Sequence, residues 1–155
     1  MSELACFVAF RLDRHRYALP LNVVERVVRA AEVTALPHAP AVVIGAVNVH
    51  GRVLPVLNLR RRFLVPERRI VPADWFLLAR TVRRTVVLAI DEADGLIERP
   101  SAEILPSEHI APGLDAFPGV VRMPDGLILI HDIDRCLSLD EDRMLDTAMQ
   151  DLEDA

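Results

Sequence analysis

Side chains able to do chemistry are thinly spread along this chain of 155 residues. His131-Asp132-Ile133-Asp134 could set an imidazole and carboxylates near a metal, and the same run also reads as a strand end with solvent-facing acids. Asp91-Glu92 and Asp94 follow an apolar segment. Paired carboxylates serve general acid–base catalysis, and acids at such a place equally form the turn after a strand. Ser101, Ser107 and Ser138 lack the glycine-flanked elbow that exposes a nucleophilic serine. The six glycines form neither GxGxxG nor GxxxxGK[ST], and no HExxH or CxxC spacing occurs. No catalytic residue, metal or cofactor is assigned from these patterns.

Charge offers a second kind of chemistry. All 18 basic side chains are arginines, and net charge is −5. Residues 1–90 carry 14 Arg against 6 acids, a net of +8, while residues 91–155 carry 4 Arg against 17 acids, a net of −13. Arg60-Arg61-Arg62, Arg68-Arg69 and Arg83-Arg84 could serve a single-stranded nucleic acid, but such sites also stack bases on aromatics. The chain has seven Phe, Tyr and Trp residues; Phe7, Phe10, Phe63 and Phe76 lie in apolar runs that read as core. The acidic half would repel phosphate, so no nucleic-acid partner is expected. The asymmetry reads instead as two lobes that attract each other.

The elements that carry these residues are short. The composition, 52% hydrophobic and 26% charged, is globular. Cys6–Leu12 and Tyr17–Leu21 form a predicted hairpin, with Pro20 ending the second strand or placing it at an edge. Asn22 is a predicted cap for one helical turn through Val23, Val24 and Glu25. Gly45–Val49 and Arg52–Leu57 flank His50-Gly51, where Gly51 permits the positive φ of a two-residue turn and Asn48 is placed to bond the backbone beside it. Arg60–Arg62 lead into a linker at 64–74, and strand-like runs resume at Trp75–Ala79, Thr85–Ile90, Gly95–Ile97 and Gly126–Ile130. Ser138-Leu139-Asp140-Glu141 fits a capping box, followed by an amphipathic stripe of Leu145, Met149 and Leu152. Many short strands with frequent Pro predict a mainly β protein built from small barrels. No apolar run reaches the roughly 18 residues of a membrane span, and no basic-then-apolar leader opens the chain. A cytoplasmic protein without direct membrane insertion is expected, with Cys6 and Cys136 as small apolar groups.

Several of these pieces together resemble the CheW family of chemotaxis coupling proteins. Phe7, Phe10, Leu12 and Tyr17–Val24 are similar to its opening. Pro37 and Pro40, then Gly45, Val47, Asn48, Gly51, Val53, Pro55, Val56, Asn58–Arg60, Arg62 and Phe63 resemble its most recognisable stretch. Val86–Asp91, Ile104–Pro106, Gly119-Val120 and Leu127–Asp132 are similar to its closing half. The resemblance implies two SH3-like five-stranded β-barrel lobes in one domain spanning 1–155. Lobe one is expected near 16–65 and lobe two near 74–135. The N-terminal strand 6–12 would cross between the lobes, with a C-terminal helix near 139–152.

The resemblance also implies function. Family members are not enzymes; they bridge the cytoplasmic tips of chemoreceptors to the regulatory domain of a CheA-type histidine kinase at the inner membrane face. The positions matching the family's receptor groove are Leu21, Val24, Arg26, Val27, His50, Val53, Val86 and Val87. Typical members carry Glu and Arg at the places of Arg26 and His50, where they form an ion pair that cannot form as such here; Glu25 stands one position off. Val87 and Asn58 replace a usual Gly and Asp. These departures suit either drift within a preserved fold or a kinase-associated scaffold of a non-standard system, serving pilus motility, surface sensing or development, with altered or lost receptor binding.

Overall fold

The computed structural model describes residues 3–106 and 117–153. Strand β1 (Leu4–Leu12) folds back on β2 (His15–Pro20) through a turn in which Asp13 takes a positive φ of 55°. Proline ends β2 because its ring fixes φ and removes an N–H. A single 3-10 turn, Leu21–Val23, follows Pro20; no side chain caps it, so Asn22 sits inside the turn and does not initiate a helix. The chain then runs through β3 (Val24–Arg29), β4 (Val43–Val49) and β5 (Arg52–Leu57). The β4–β5 turn is His50-Gly51, with φ of 51° and 86°, the doubly positive geometry that a two-residue hairpin demands. Ahead of the expected linker, Leu59–Arg62 form a four-residue helix α1, because the Asn58 side chain accepts the backbone N–H of Arg61 at 3.2 Å.

Beyond this helix come β6 (Trp75–Arg80), β7 (Thr85–Ile90), β8 (Glu92–Pro100), β9 (Ile104–Pro106), β10 (Gly119–Met123) and β11 (Gly126–Ile130). Helix α2 (Leu139–Glu153) closes the fold. Its capping box is reciprocal: Ser138 N–H donates to Glu141 at 2.7 Å and Glu141 N–H donates to Ser138 Oγ at 3.1 Å.

Two curled sheets result. One has the order β8-β1-β2-β11-β10-β9 and the other β3-β6-β7-β5-β4. The sheets interleave in sequence and are not divided at 64–74: β6 and β7 join β3–β5, and the N-terminal hairpin joins β8–β11. The physical reason lies in two parallel pairings, β2 with β11 and β5 with β7, which tight hairpins cannot make. Strand β1 lies within the first sheet, and that sheet carries a sixth, three-residue strand, β9.

Alternation of side chains builds three cores. Phe7, Ala9, Ala18, Ile128 and Ile130 fill the first sheet's curl, while Leu54, Val56, Phe76, Leu78 and Val87 fill the second. The opposite faces meet in a shared interior of Phe10, Leu12, Tyr17, Leu19, Leu57, Leu77, Val86 and Leu88. Helix α2 adds Leu145 and Ala148 to that interior, so its apolar stripe docks on the protein's own core.

Candidate functional site

The candidate groove residues separate according to strand face. On β5, Val53 shares a face with Leu57, whose side chain is in the shared interior; Arg52 shares the other face with Leu54 and Val56. On β3, Val24 and Val27 pair with Ala79 and Leu77 on the shared-interior side. Arg26 pairs with Leu78, whose side chain fills the second sheet's curl. Leu21 and Val53 are 39% and 47% exposed, and Val24 and Val27 are half-buried. Because the Glu25–Arg52 contact at 2.9 Å brings the starts of β3 and β5 together, the flanking Val24 and Val53 border it as an apolar strip with Leu21 and Val27. Val86 and Val87 do not join this strip. Both are fully buried, one in the shared interior and one in the second curl, because β7 lies between β6 and β5 and both of its faces are covered.

A polar arrangement stands where Arg26 and His50 make no ion pair. The β3–β6 register shifts between Val24 and Arg26, so Glu25 is the extra residue of a bulge. The bulge turns Glu25 toward the ends of β5 and β7. There Arg52 donates to Glu25 at 2.9 Å, Thr85 Oγ1 donates to Glu25 at 2.9 Å, and Arg52 donates to Thr85 Oγ1 at 3.0 Å. The hydrogen bonds from Arg52 and then Thr85 hold the Glu25 carboxyl below its ordinary range, against partial desolvation. An acid–arginine pair thus does exist beside the strip, made by residues one and two positions away from those the family pattern marks. Arg26 and His50 are exposed. Asn48 serves the hairpin, since its Oδ1 accepts the Gly51 N–H at 2.8 Å and ties the turn.

The carboxylates and arginines that could have done chemistry are engaged elsewhere. Asp91 accepts from Arg60 at 2.7 and 2.8 Å, from Arg68 at 2.7 Å and from the Asp13 N–H at 2.7 Å. Arg60, buried in α1, also reaches Asp13 at 2.9 Å and the Pro66 carbonyl at 2.8 Å. Arg68 forks onto Asp74 at 2.8 Å. This network joins the β1–β2 turn, α1, the 64–74 segment and the β7–β8 junction. A buried arginine is unusual, and sequence reading misses Arg60 because the triplet Arg60–Arg62 looks uniformly solvated. Glu92 and Asp94 both pair with Arg11. His131 is buried with its ring against Phe63 and Phe117, at centroid distances of 4.8 and 5.9 Å. Asp134 instead accepts the Val82 N–H at 2.8 Å, so the His131–Asp134 run diverges. Among the described residues no three His, Cys, Asp or Glu side chains converge as metal ligands. Ser107 lies outside the described residues.

The charge asymmetry resolves into docking of α2. Buried Asp142 accepts from Arg83 at 3.0 Å and Arg84 at 2.9 Å, Arg84 also pairs with Asp146, and Arg62 pairs with Glu141. Arg29 lies over the Trp75 ring at 4.2 Å. Cys6 is half-buried, and burial pushes the Cys136 thiol up to about 12. Among the described residues no helix is long and apolar enough to cross a membrane.

Comparison with known proteins adds to this geometry. Residues 7–141 match the CheW-like domain family. The chain is 25% identical to chemotaxis protein CheW of Treponema pallidum over 140 residues, covering 86% of this chain and 82% of that protein. It is 35% identical to protein FrzA of Myxococcus xanthus over 100 residues, covering 64% and 62% of the two chains. The crystal structure of scaffolding protein TtCheW from Thermoanaerobacter tengcongensis superposes with a TM-score of 0.79 at 22% identity, covering 91% of this chain and 96% of that one. The shared fold is mainly β with two SH3-like lobes.

Proposed function

The chain belongs to the CheW family, and we propose that it is a non-catalytic adaptor linking chemoreceptor tips to the regulatory domain of a CheA-type histidine kinase. Such an adaptor works by surface alone: it must present apolar area to a helical partner and keep its own shape while bound. The observation that carries the reading is the strip of exposed Leu21 and Val53 with half-buried Val24 and Val27, bordering the Glu25–Arg52 contact. Exposed valine on β5 and exposed leucine in the turn before β3 offer apolar area to the face of a receptor helix. The Arg60–Asp91 and Arg68–Asp74 pairs support it further, because they tie the segments joining the sheets and hold the strip in one geometry. The adaptor would then sit in the cytoplasm, at the inner membrane face through receptor arrays.

A second reading keeps the kinase and alters or removes the receptor contact, in a system such as one for pilus motility, surface sensing or development. The displacement of the acid–arginine pair to Glu25 and Arg52 favours altered binding over lost binding, since the polar element beside the strip persists. Affinity capture with the tagged full-length chain from its native cells, read by mass spectrometry, separates these readings. A histidine kinase with a receptor is the expected result. A kinase without receptors favours the second reading, and neither partner overturns both.

A further inference from the structure

The second sheet's curl ends in an unusual set of side chains. Arg52 on β5, Thr85 on β7, Arg80 on β6 and Arg26 on β3 all occupy positions on the same face as the buried Leu54, Val87 and Leu78 and the half-buried Val28. Arg52, Thr85 and Arg80 therefore stand at one mouth of this curl, and Arg26 stands beside it, exposed on the edge strand β3 opposite Leu78. Arg26 and Arg80 are diagonal neighbours across β3 and β6, a relationship that brings Cα atoms to roughly 7–8 Å. The bulged Glu25 supplies one carboxylate, which Arg52 and Thr85 occupy, and Arg80 is near enough to act on its charge. Among the described residues Arg26 and Arg80 have no carboxylate within ion-pair distance. Arg52 and Arg80 thus act on the one carboxylate at the mouth, exposed Arg26 adds a third guanidinium on the neighbouring strand, and His50 lies in the exposed turn next to Arg52.

This cationic excess borders the apolar strip. Arg52 and Val53 are consecutive, so one side chain enters the mouth and the other enters the strip, and Val24 and Arg26 straddle the bulge in the same way. Resting on the adaptor reading above, we infer that Arg26 and Arg80 form a carboxylate-binding subsite: a partner helix that packs its apolar face on Leu21, Val24 and Val53 places an acidic side chain over this mouth. Charge complementarity selects the occupant. A helix bearing Lys or Arg at that place would bring like charges together at the rim, which disfavours the wrong partner more than it strengthens the right one. Arg26 and Arg80 are then specificity-determining residues for the receptor contact.

The test uses the full chain and two versions of one chemoreceptor hairpin tip, identical in apolar stripe and differing in whether the flanking positions are all Glu or all Lys. Calorimetric titration at low and moderate salt reads the affinities. The expected result is an advantage of about fivefold or more for the Glu version, shrinking with salt, as two exposed charge contacts supply. Arg26→Gln with Arg80→Gln should abolish that advantage, and Arg26→Lys with Arg80→Lys should keep it. Both side chains are exposed, and thermal melting verifies that each variant remains folded. Equal affinity for the two hairpins, or preference for Lys, overturns the carboxylate subsite and leaves the adaptor reading standing. Failure of both hairpins to bind while the kinase regulatory domain binds overturns the receptor contact itself, and the subsite with it.

Discussion

Glu25 and Arg52 meet at 2.9 Å across neighbouring strand ends, with Thr85 accepting from one and donating to the other. The pair is half-exposed, at 28% and 51% of side-chain area, so water competes for both charges. An ion pair of this kind contributes about 0.2–1 kcal/mol to stability. We expect Glu25→Gln and Arg52→Gln each to lower the unfolding free energy by no more than that. A double-mutant cycle by urea denaturation should return a coupling of similar size, and zero coupling would show that the pair does not form in solution.

Surface and core valines separate by assay. Val53→Glu should weaken receptor-tip binding by an order of magnitude or more while changing stability by less than about 0.5 kcal/mol, because Val53 is half in water. Val86→Ala and Val87→Ala should do the reverse. Each empties part of a fully buried site and should cost about 2 kcal/mol with binding of the remaining folded protein unchanged. Denaturation curves and pull-down titration of the three variants decide the point.

Arg60 offers a sharper loss. Its guanidinium is buried, neutralises Asp91 and reaches the Asp13 carboxylate as well. Arg60→Ala would leave Asp91 facing a partly dry junction and should destabilise the fold by about 3 kcal/mol, as breaking a buried pair does. Arg60→Lys should recover part of the loss, because one ammonium cannot reproduce the fork. Chemical denaturation measures both.

Acid should loosen the same junction. Burial works to raise the Asp74 carboxyl, yet hydrogen bonds from Arg68 and from the Val71 N–H hold it below its ordinary value. At Glu141 burial is likewise outweighed, by the Ser138 N–H and by Arg62. A carboxyl depressed in the folded state contributes stability that is complete above its unfolded value and is lost as pH falls through the folded value. Stability should therefore be level near neutrality and decline below about pH 4.5. Asp74→Asn should lower the plateau and flatten this acid limb. Thermal melting from about pH 3 to about pH 7 tests the slope.

The β4–β5 turn makes a conformational prediction. A side chain at Gly51 would meet no atom within 4 Å, so space is not the constraint; its φ of 86° is. Gly51→Val should cost about 1–3 kcal/mol, whereas Gly51→Asn, which tolerates positive φ, should cost less. Equal melting temperatures for the two variants would contradict this account.

Much of the molecule is legible along the chain because its causes are local. The apolar run Cys6–Leu12, the His50-Gly51 pair, the proline at 20 and the Ser138–Glu141 box each act within a few residues, and each element appears where those signals stand. The order of the family-like pieces from Phe7 to Asp132 points to the family and its two lobes, and the family match spans the same stretch.

What adjacent residues cannot encode is partnership at a distance. Whether Val86 and Val87 face a partner or the interior depends on β5 and β6 lying to either side of β7, and the β5–β7 pairing joins residues too far apart in the chain for any local pattern to announce. Likewise the bulge that moves the acid–arginine pair to Glu25 and Arg52, and the burial of Arg60, depend on which strands meet and in which register. Residue order is enough for most strands, the His50-Gly51 turn and the family, though it misplaces Asn22 as a cap and misses α1. Which faces are surface and which charges are spent is settled by the closed sheets, because side-chain exposure and ion pairing follow from strand neighbours that only the folded chain supplies.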